Sequence, residues 1–269
     1  MPHDIRLIAV DMDGTLLDAD GRIPAPLWEL LPRLDDRGIA FVPASGRQLA
    51  TLRQAFGEAA ADMTFIAENG AYVVHGGVEV AVEALDPAFV ADVVKRLRAL
   101  VSDGFDLGVV VCGKRSAYIE RTDAAFHAEA ATYYAALDTV DDVLAVDDEV
   151  LKIAVYDFAI AEQSVGPVLS DIDGAHRSVV SGLHWVDIMN SGVDKGTALR
   201  RLQGALGVDR AQTAAFGDYL NDLEMLDAAE WSYAMQNAHA EVVARAAHRA
   251  PSNVDHGVIT VVEGLLADA

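Results

Sequence analysis

Short apolar segments alternate with amphipathic segments at both ends of the chain. The first part predicts strands at Ile5–Val10, Ile39–Pro43 and Met63–Ala67, helices at Pro26–Arg37 and Gln48–Phe56, and a hairpin partner at Ala71–Val74. The last part predicts helices at Lys195–Gly207, Leu220–Ala228 and His239–Ala247, and strands at Ala214–Phe216 and Ser232–Met235. Alternation with short connections is typical of a parallel sheet with helices on both faces. We therefore predict an α/β fold whose core is a doubly wound, Rossmann-like parallel sheet.

The middle of the chain has a different pattern, in which hairpins separate the helices. It predicts helices at Pro87–Leu100, Asp123–Ala136 and Ile160–Ile172, and strands at Leu107–Val111, Ser116–Glu120, Lys152–Tyr156, Ser178–Ser181 and Trp185–Met189. This pattern favours an α+β unit with an antiparallel sheet. We place this second domain at residues 83–187, inserted into a core formed by residues 1–82 and 188–269.

An acidic segment, Asp138–Glu149, lies within the predicted insertion. It lacks the glycine and the ligand spacing of a calcium-binding loop. We therefore interpret it as a solvated face and turn.

The charge of the chain limits the partners that it can have. The formal net charge is −22, whereas nucleic acids and anionic membrane surfaces bind clustered Lys and Arg side chains. We expect neither kind of partner. An anionic ligand would therefore need a local positive site, such as a metal ion, a helix N-terminus or a specific cation.

Features that mark secreted or membrane proteins are missing from the sequence. No uncharged apolar stretch approaches the ~18 residues that suggest a membrane span, and the first residues lack the regions of a signal peptide. The single cysteine, Cys112, excludes an internal disulfide and fits a reducing compartment. We predict a soluble cytoplasmic protein, for which the sequence leaves monomer and homodimer equally open.

An acidic motif, Asp11–Leu17, follows the first predicted strand. An Asx turn at the end of a strand would use the same residue types. A carboxylate is ionised at neutral pH, so Asp11 could attack phosphorus without a base and form an aspartyl-phosphate. Asp13 could act as general acid to the leaving oxygen and then as general base for the attacking water.

A second acidic cluster, Gly217–Asp222, follows the predicted strand at Ala214–Phe216. Asp218 and Asp222 are four residues apart, so a helix would place them on one face. Acidic residues also favour helix N-termini because of the helix dipole. Since ligands bind at the carboxyl ends of strands in open α/β sheets, we expect both carboxylates to join Asp11 around Mg²⁺.

Two smaller motifs could complete a phosphate site. The Ser45 hydroxyl, after a predicted strand and before a helix, could hold phosphate oxygens together with nearby backbone N–H groups. A plain helix N-cap serine would lie at the same place. Lys195 is one of four lysines in the chain and heads a predicted helix, from where it could neutralise phosphate charge and orient Asp11. Asn221 can donate to phosphate or to a carboxylate.

Four motifs, in this order along the chain, resemble those of the haloacid dehalogenase-like hydrolase superfamily. They are Asp11–Leu17, Ser45-Gly46-Arg47, Lys195 within Val193–Thr197, and Gly217–Asp222. The resemblance covers essentially the whole chain. It is closest to the Cof-type sugar-phosphatase branch, which carries a large cap inserted after the second motif. Three further segments look like this branch: Glu68–Ala71, Asn237-Ala238 and Asp255–Val258.

The resemblance implies a catalytic and metal-binding role for the acidic motifs. Asp11 would be the nucleophile and Asp13 the general acid and base. Mg²⁺, the implied cofactor, would be held by the Asp11 carboxylate, the Asp13 carbonyl and Asp218. Asp222 would support the ion directly or through water.

The resemblance also implies how the substrate is bound. The residues implied to bind the phosphoryl group are Ser45, Lys195 and Asn221. Those that lie where this branch tends to meet the substrate or its phosphate are Gly46, Arg47 and Asn190. The inserted domain would act as a cap that supplies substrate specificity.

The sequence thus predicts an enzyme, a Mg²⁺-dependent phosphatase acting on small phosphorylated metabolites through an aspartyl-phosphate. Sugar phosphates and cofactor phosphates are the expected substrate classes. A phosphotransferase or phosphomutase on the same core is an alternative, because it would use the same residues and pass the phosphoryl group to an acceptor sugar. A non-catalytic phospholigand-binding module is a further alternative. The presence of every motif carboxylate argues against it.

Overall fold

The computed structural model describes residues 4–172 and 174–267, so the sequence interpretation of Met1–His3 lies outside the described residues. Two compact units are present. The first comprises the described residues of Met1–Gly46, Leu52–Ala81 and Asp194–Ala269, and the second comprises those of Arg47–Thr51 and Val82–Val193.

The described residues form fourteen strands and nine α-helices. The strands are β1 Leu7–Asp11, β2 Ala40–Ala44, β3 Thr64–Ala67, β4 Tyr72–His75, β5 Val78–Val82, β6 Leu107–Gly113, β7 Ala117–Ile119, β8 Leu137–Thr139, β9 Val150–Asp157, β10 His176–Val180, β11 Trp185–Asn190, β12 Thr213–Gly217, β13 Trp231–Met235 and β14 His248–Ala250. The helices are α1 Leu27–Asp35, α2 Leu49–Phe56, α3 Pro87–Ser102, α4 Ala124–Tyr133, α5 Val165–Leu169, α6 Lys195–Leu206, α7 Leu223–Asp227, α8 Ala240–Arg245 and α9 Gly257–Ala267.

The first unit contains an eight-stranded sheet in the order β14-β13-β12-β1-β2-β3-β4-β5. The strands from β14 to β3 pair in parallel, and β4 runs antiparallel to β3. All five residues of β1 are buried, as expected for a central parallel strand covered on both faces. Val10 pairs with Phe216 on one side and with Pro43 on the other, so the carboxyl ends of β1, β2 and β12 meet at one edge.

Helix α6 is anchored to this sheet by an apolar face that includes Ala198, Leu199 and Leu202. These side chains pack with Met225 and Leu226 of α7 in the core of the first unit. Burial of each leucine contributes about 1.5–3 kcal/mol to stability. The packing fixes the amino-terminal end of α6, where Lys195 lies.

The second unit contains a six-stranded sheet in the order β10-β11-β9-β6-β7-β8. Its pairings are antiparallel, except that β7 and β8 are parallel. One core forms where Ile153 and Val155 of β9 pack with Val94 and Leu97 of α3. No helix in the described part of the chain is long and apolar enough to cross a bilayer.

Two predicted helices differ from the structure. The segment predicted as Leu220–Ala228 contains a 3₁₀ turn at Leu220–Asp222 followed by α7. The segment predicted as Ile160–Ile172 contains a 3₁₀ turn and α5, separated by Ser164 with φ −122° and ψ −96°. The Asp157 carboxylate accepts hydrogen bonds from Ala159 N at 2.8 Å and Val165 N at 3.1 Å, which stabilises this interrupted backbone.

One residue of Asp138–Glu149 departs from the interpretation of this segment as a solvated face and turn. The Asp148 carboxylate is only 4% exposed and accepts hydrogen bonds from Tyr118 Oη and Arg115 N, both at 2.9 Å. A Cβ atom at Gly113 would lie 2.3 Å from Asp148 Oδ2, so this glycine makes room for the carboxylate. The acidic sequence pattern could not reveal that Tyr118 of β7 donates a hydrogen bond to this carboxylate.

Candidate active site

Three carboxylates and one ammonium group meet at the carboxyl edge of the first sheet. Lys195 Nζ donates to Asp11 Oδ1 at 2.5 Å and to Asp222 Oδ1 at 2.7 Å. Lys195 and Asp222 are fully buried, and Asp11 is 6% exposed. Asp11, Asp218 and Asp222 each offer one oxygen within 4.8 Å of the others.

The start of α6 places the Lys195 ammonium. Asp194 caps the helix, since its carboxylate accepts from Thr197 N at 2.7 Å and from Thr197 Oγ1 at 2.8 Å. The next residue after the lysine, Gly196, lies directly against α7. A Cβ atom there would lie 2.0 Å from Glu224 O, so only glycine permits this approach.

The turn after β1 packs against the Asp218 carboxylate. Gly14 has φ +78°, and a Cβ atom there would lie 2.3 Å from Asp218 Oδ2. Thr15 Oγ1 donates to Asp218 Oδ1 at 3.1 Å. Asn237 Nδ2 donates to Gly14 O at 2.8 Å and so holds the turn from the loop after β13.

Asp222 closes the loop that follows β12. Its Oδ2 atom accepts from Asp218 N at 3.0 Å and Tyr219 N at 3.2 Å. A Cβ atom at Gly217 would lie 2.5 Å from Asp222 Cβ, so glycine is required for this closure. Both oxygens of the Asp222 carboxylate thus have partners within the protein.

The site carries more negative charge than its lysine can neutralise. Burial raises the pKa of Asp11 to about 8; Asp222 adds to this rise, and the Lys195 ammonium opposes it. Burial and Asp222 also raise the pKa of Asp218. Contacts with Asp11 and Asp222 outweigh burial at Lys195, so the pKa of this ammonium is raised. The donor set therefore fits a hard divalent cation, because carboxylate oxygens are preferred ligands of Mg²⁺ and its charge would offset this excess.

The predicted phosphate-binding residues of the first unit lie on neighbouring loops. Ser45 directly follows β2, where Ala44 pairs with Asp11. Ser45 is buried, and its backbone N–H donates to Ile66 O at 2.9 Å. Asn221 is exposed, and its Nδ2 atom donates to Asn69 Oδ1 at 3.3 Å.

The remaining predicted site residues belong to both compact units. Asp13 is exposed within the turn after β1. Gly46 belongs to the first unit, whereas Arg47 is grouped with the second. Asn190 ends β11 in the second unit, and its Nδ2 atom donates to Ala84 O at 3.0 Å.

Sequence reasoning missed three residues that shape the site. Thr15 lies within the motif Asp11–Leu17, and its hydroxyl donates to the carboxylate of Asp218, which lies 203 positions further along the chain. Asn69 and Asn237 received no role. Asn237 follows the carboxyl end of β13, so the same strand-end rule that found Asp11 could have indicated it.

Comparison with known proteins shows the family of the chain. A family model for haloacid dehalogenase-like hydrolases matches residues 8–262. The chain belongs to this family. The resemblance to the superfamily and to its Cof-type branch is confirmed, as are the prediction of an enzyme and the predicted α/β fold class.

Relatives cover nearly the whole chain. One, from Escherichia coli strain K12, is 5-amino-6-(5-phospho-D-ribitylamino)uracil phosphatase YbjI, which is 35% identical over 97% of this chain and 96% of its own. The Bacillus subtilis strain 168 protein YitU carries the same activity name and is 27% identical over 94% of each chain.

A solved structure shows the same fold over the same length. This haloacid dehalogenase-like hydrolase from Bacteroides thetaiotaomicron superposes with a TM-score of 0.86 at 23% identity, and the match covers 97% of this chain and 99% of that one. The agreement extends over both compact units.

Proposed function

We propose that this haloacid dehalogenase-like protein is a Mg²⁺-dependent phosphatase that releases inorganic phosphate from small phosphorylated metabolites. One observation carries the proposal: Lys195 Nζ bridges Asp11 and Asp222, 2.5 Å and 2.7 Å away, beside Asp218 at the carboxyl edge of the sheet. The arrangement combines a positioned carboxylate with a buried cation, which suits attack on an anionic phosphoryl group.

Asp11 is the nucleophile in this proposal. A carboxylate oxygen of Asp11 attacks phosphorus, and the bond from phosphorus to the leaving oxygen breaks. The contact with Lys195 restricts the carboxylate to one orientation before the attack. Water then attacks the phosphorus of the aspartyl-phosphate, which releases phosphate and restores Asp11.

Asp13 handles the protons in this proposal. Its exposed carboxyl group lies two residues beyond the nucleophile, in the turn after β1. It donates a proton to the leaving oxygen in the first step and accepts a proton from the attacking water in the second.

The acidic cluster provides the metal site of the proposal. Asp11, the Asp13 carbonyl and Asp218 would hold Mg²⁺. When bound, this ion would supply positive charge opposite the phosphoryl oxygens. The Asp222 carboxylate already accepts from Lys195 and two backbone N–H groups, which favours support by positioning or through water over direct coordination.

The phosphoryl group is bound by Ser45, Lys195 and Asn221 in this proposal. Gly46 and Arg47, which follow Ser45, are proposed to meet the same group or the rest of the substrate. Substrate contact by Asn190 stays a prediction. To donate to the substrate, its Nδ2 atom would have to give up the hydrogen bond to Ala84 O.

The activity names of two relatives indicate which substrates to test first. Proteins from Escherichia coli and Bacillus subtilis share the name 5-amino-6-(5-phospho-D-ribitylamino)uracil phosphatase, so a phosphorylated ribityl compound is the first substrate to test. Sugar phosphates and pyridoxal phosphate follow. We propose that the second unit acts as the cap that sets this specificity.

Phosphate release from such a panel, measured with Mg²⁺ and with EDTA, tests the proposal. We expect release that requires Mg²⁺ and differs among the substrates. Phosphate transfer to an added acceptor sugar, without free phosphate, would indicate the phosphotransferase instead. Tight binding of the compounds without any turnover by folded, Mg²⁺-loaded protein would indicate a binding module.

A further inference from the structure

The turn between β3 and β4 has an unusual backbone. Glu68, Asn69 and Gly70 have φ angles of 51°, 54° and 106°, so three successive residues lie in the left-handed region. Residues other than glycine seldom adopt this conformation, although asparagine tolerates it better than most. The surrounding contacts must therefore hold the turn in place.

Asn69 contacts two of the loops assigned to phosphate binding. Its backbone N–H donates to Ser45 O at 2.9 Å, and its Oδ1 atom accepts from Asn221 Nδ2 at 3.3 Å. The side-chain amide also lies against Gly46, where an added Cβ atom would be 2.9 Å from Asn69 Nδ2. One short side chain thus lies between the loops that follow β2 and β12.

The same turn contacts the third loop. A Cβ atom at Gly70 would lie 2.4 Å from the carbonyl oxygen of Asp194, the residue that caps α6 and precedes Lys195. Ser45, Asn221 and Lys195 belong to three separate segments of the chain, and the Glu68–Gly70 turn touches all three segments.

We propose that Asn69 is a positioning residue for phosphate binding. Its side-chain carbonyl fixes the Asn221 amide, while its side-chain and backbone amides fix the Ser45-Gly46 turn. Asn69 acts through these neighbours without contacting phosphate itself. This inference rests on the proposed function, because that proposal assigns Ser45 and Asn221 to the phosphoryl group.

An amide is well suited to this position. Asparagine offers an acceptor to Asn221 and a compact, uncharged surface to Gly46, and it accepts a left-handed backbone. A carboxylate there would add negative charge beside the phosphate, and a longer side chain would not fit against Gly46. The side chain, more than the turn alone, should therefore affect phosphate affinity.

The test uses Asn69→Gly, which keeps the left-handed backbone accessible and removes only the side chain. We would compare it with Asn221→Ala and with the double variant in the full chain with Mg²⁺. The readouts are calorimetric binding of inorganic phosphate and the kcat and KM for p-nitrophenyl phosphate. Gly76→Ala is the matched control for left-handed strain, since Gly76 has φ +53° and no neighbouring atom within 4 Å of an added Cβ.

We expect each single variant to weaken phosphate binding by about 5- to 20-fold, because each removes or misplaces roughly one hydrogen bond from Asn221 to the anion. Because Asn69 acts partly through Asn221, the double variant should lose less binding free energy than the two single losses added together. The KM should rise more than kcat falls, and Gly76→Ala should bind phosphate as the wild type does.

Gly46→Ala tests the same contact from the opposite side and is available if Asn69→Gly does not fold. It should displace the Asn69 amide and weaken phosphate binding similarly. Unchanged phosphate binding in the folded variants, or additive losses in the double variant, would overturn the inference. Wild-type protein that binds phosphate but shows no turnover would refute only the proposed phosphatase function. Wild-type protein that neither binds phosphate nor turns over substrate would refute both this function and the role of Asn69.

Discussion

Lys195 determines the electrostatics of the candidate site. Its ammonium lies between Asp11 and Asp222, with no exposed surface of its own. Burying this charge is costly, and the two carboxylates offset the cost only while they remain paired with it. Removal of the ammonium would leave the carboxylates buried against one another.

We therefore predict that Lys195→Ala lowers the free energy of unfolding by about 3–5 kcal/mol, as expected when one partner of a buried ion pair is removed. Urea denaturation at neutral pH without metal measures the change. Lys95→Ala is the control, because that side chain is 67% exposed and should change stability by less than about 1 kcal/mol. Equal stabilities for the two variants would refute this account of Lys195.

Thr15 acts on the site through Asp218. Its hydroxyl donates to Asp218 Oδ1 at 3.1 Å, so Thr15→Val should leave the turn intact but release the carboxylate. We expect the Mg²⁺ concentration for half-maximal phosphate release to rise about 10-fold, as for lost hydrogen bonds to metal ligands. Thr260→Val removes an exposed hydroxyl of α9 and should not change it. If Thr15→Val needs the same Mg²⁺ concentration as the wild type, the Thr15 hydroxyl does not contribute to metal binding.

Strand-end carboxylates and the rare lysine could be found in the sequence because their positions follow from the parallel sheet. The Thr15–Asp218 contact could not, since it depends on how two loops from distant parts of the chain pack. The role of Asn69 could not be found in the sequence for a similar reason. The sequence indicates a turn there, but its left-handed backbone and its contact with Asn221 exist only in the folded unit.

Helix α6 must approach α7 closely to place its lysine. A Cβ atom at Gly196 would lie 2.0 Å from Glu224 O, whereas one at Gly204, in the same helix, would meet no atom within 4 Å. The two glycines therefore form a matched pair with the same helix propensity.

Gly196→Ala should lower the free energy of unfolding by about 1–3 kcal/mol through overpacking and should also impair turnover. Gly204→Ala should raise it by about 0.5–1 kcal/mol, because alanine favours a helix more than glycine does. Thermal and urea denaturation measure both. A Gly196→Ala protein as stable as Gly204→Ala would show that the helices do not require this contact.

Strand β7 carries a hydrogen bond that should respond to alkaline pH. Burial raises the pKa of Tyr118 to about 12, and its hydrogen bond to Asp148 adds to the rise. Unfolded Tyr118 ionises near pH 10, so the folded state's preference for the neutral phenol is fully present below about pH 10 and is lost as pH rises through about 12.

The stability advantage of wild-type protein over Tyr118→Phe should therefore be constant up to about pH 10 and shrink between about pH 10 and 12. Urea denaturation of both proteins across this range measures the difference. A constant difference up to pH 12 would contradict the raised pKa.

The longer elements follow from hydrophobic periodicity, whereas several short or weakly patterned ones do not. Strands β8 and β14 have three residues each and are stabilised by pairing with neighbouring strands, which leaves little local pattern. Helix α9 was not predicted because its sequence, Gly-Val-Ile-Thr-Val-Val-Glu-Gly-Leu-Leu-Ala, is apolar and β-branched with little polar periodicity. Its packing in the fold outweighs that weak preference.

At the scale of the whole molecule, the net charge of −22 is unfavourable for an anionic substrate. Lys195, backbone N–H groups and the proposed Mg²⁺ would supply the positive charge locally, at the site itself. The family match covers residues 8–262, which is nearly the whole chain. The cytoplasmic location stays a prediction.

The proposed mechanism requires that Asp11 becomes phosphorylated during turnover. This can be measured by acid quenching of the Mg²⁺-loaded enzyme with its best substrate, followed by borohydride reduction and peptide mass spectrometry. We expect Asp11 to be converted to homoserine in the quenched wild-type enzyme only when substrate is present. We also expect no phosphate release by Asp11→Asn. Unmodified Asp11 throughout turnover, together with normal phosphate release by Asp11→Asn, would refute the aspartyl-phosphate mechanism.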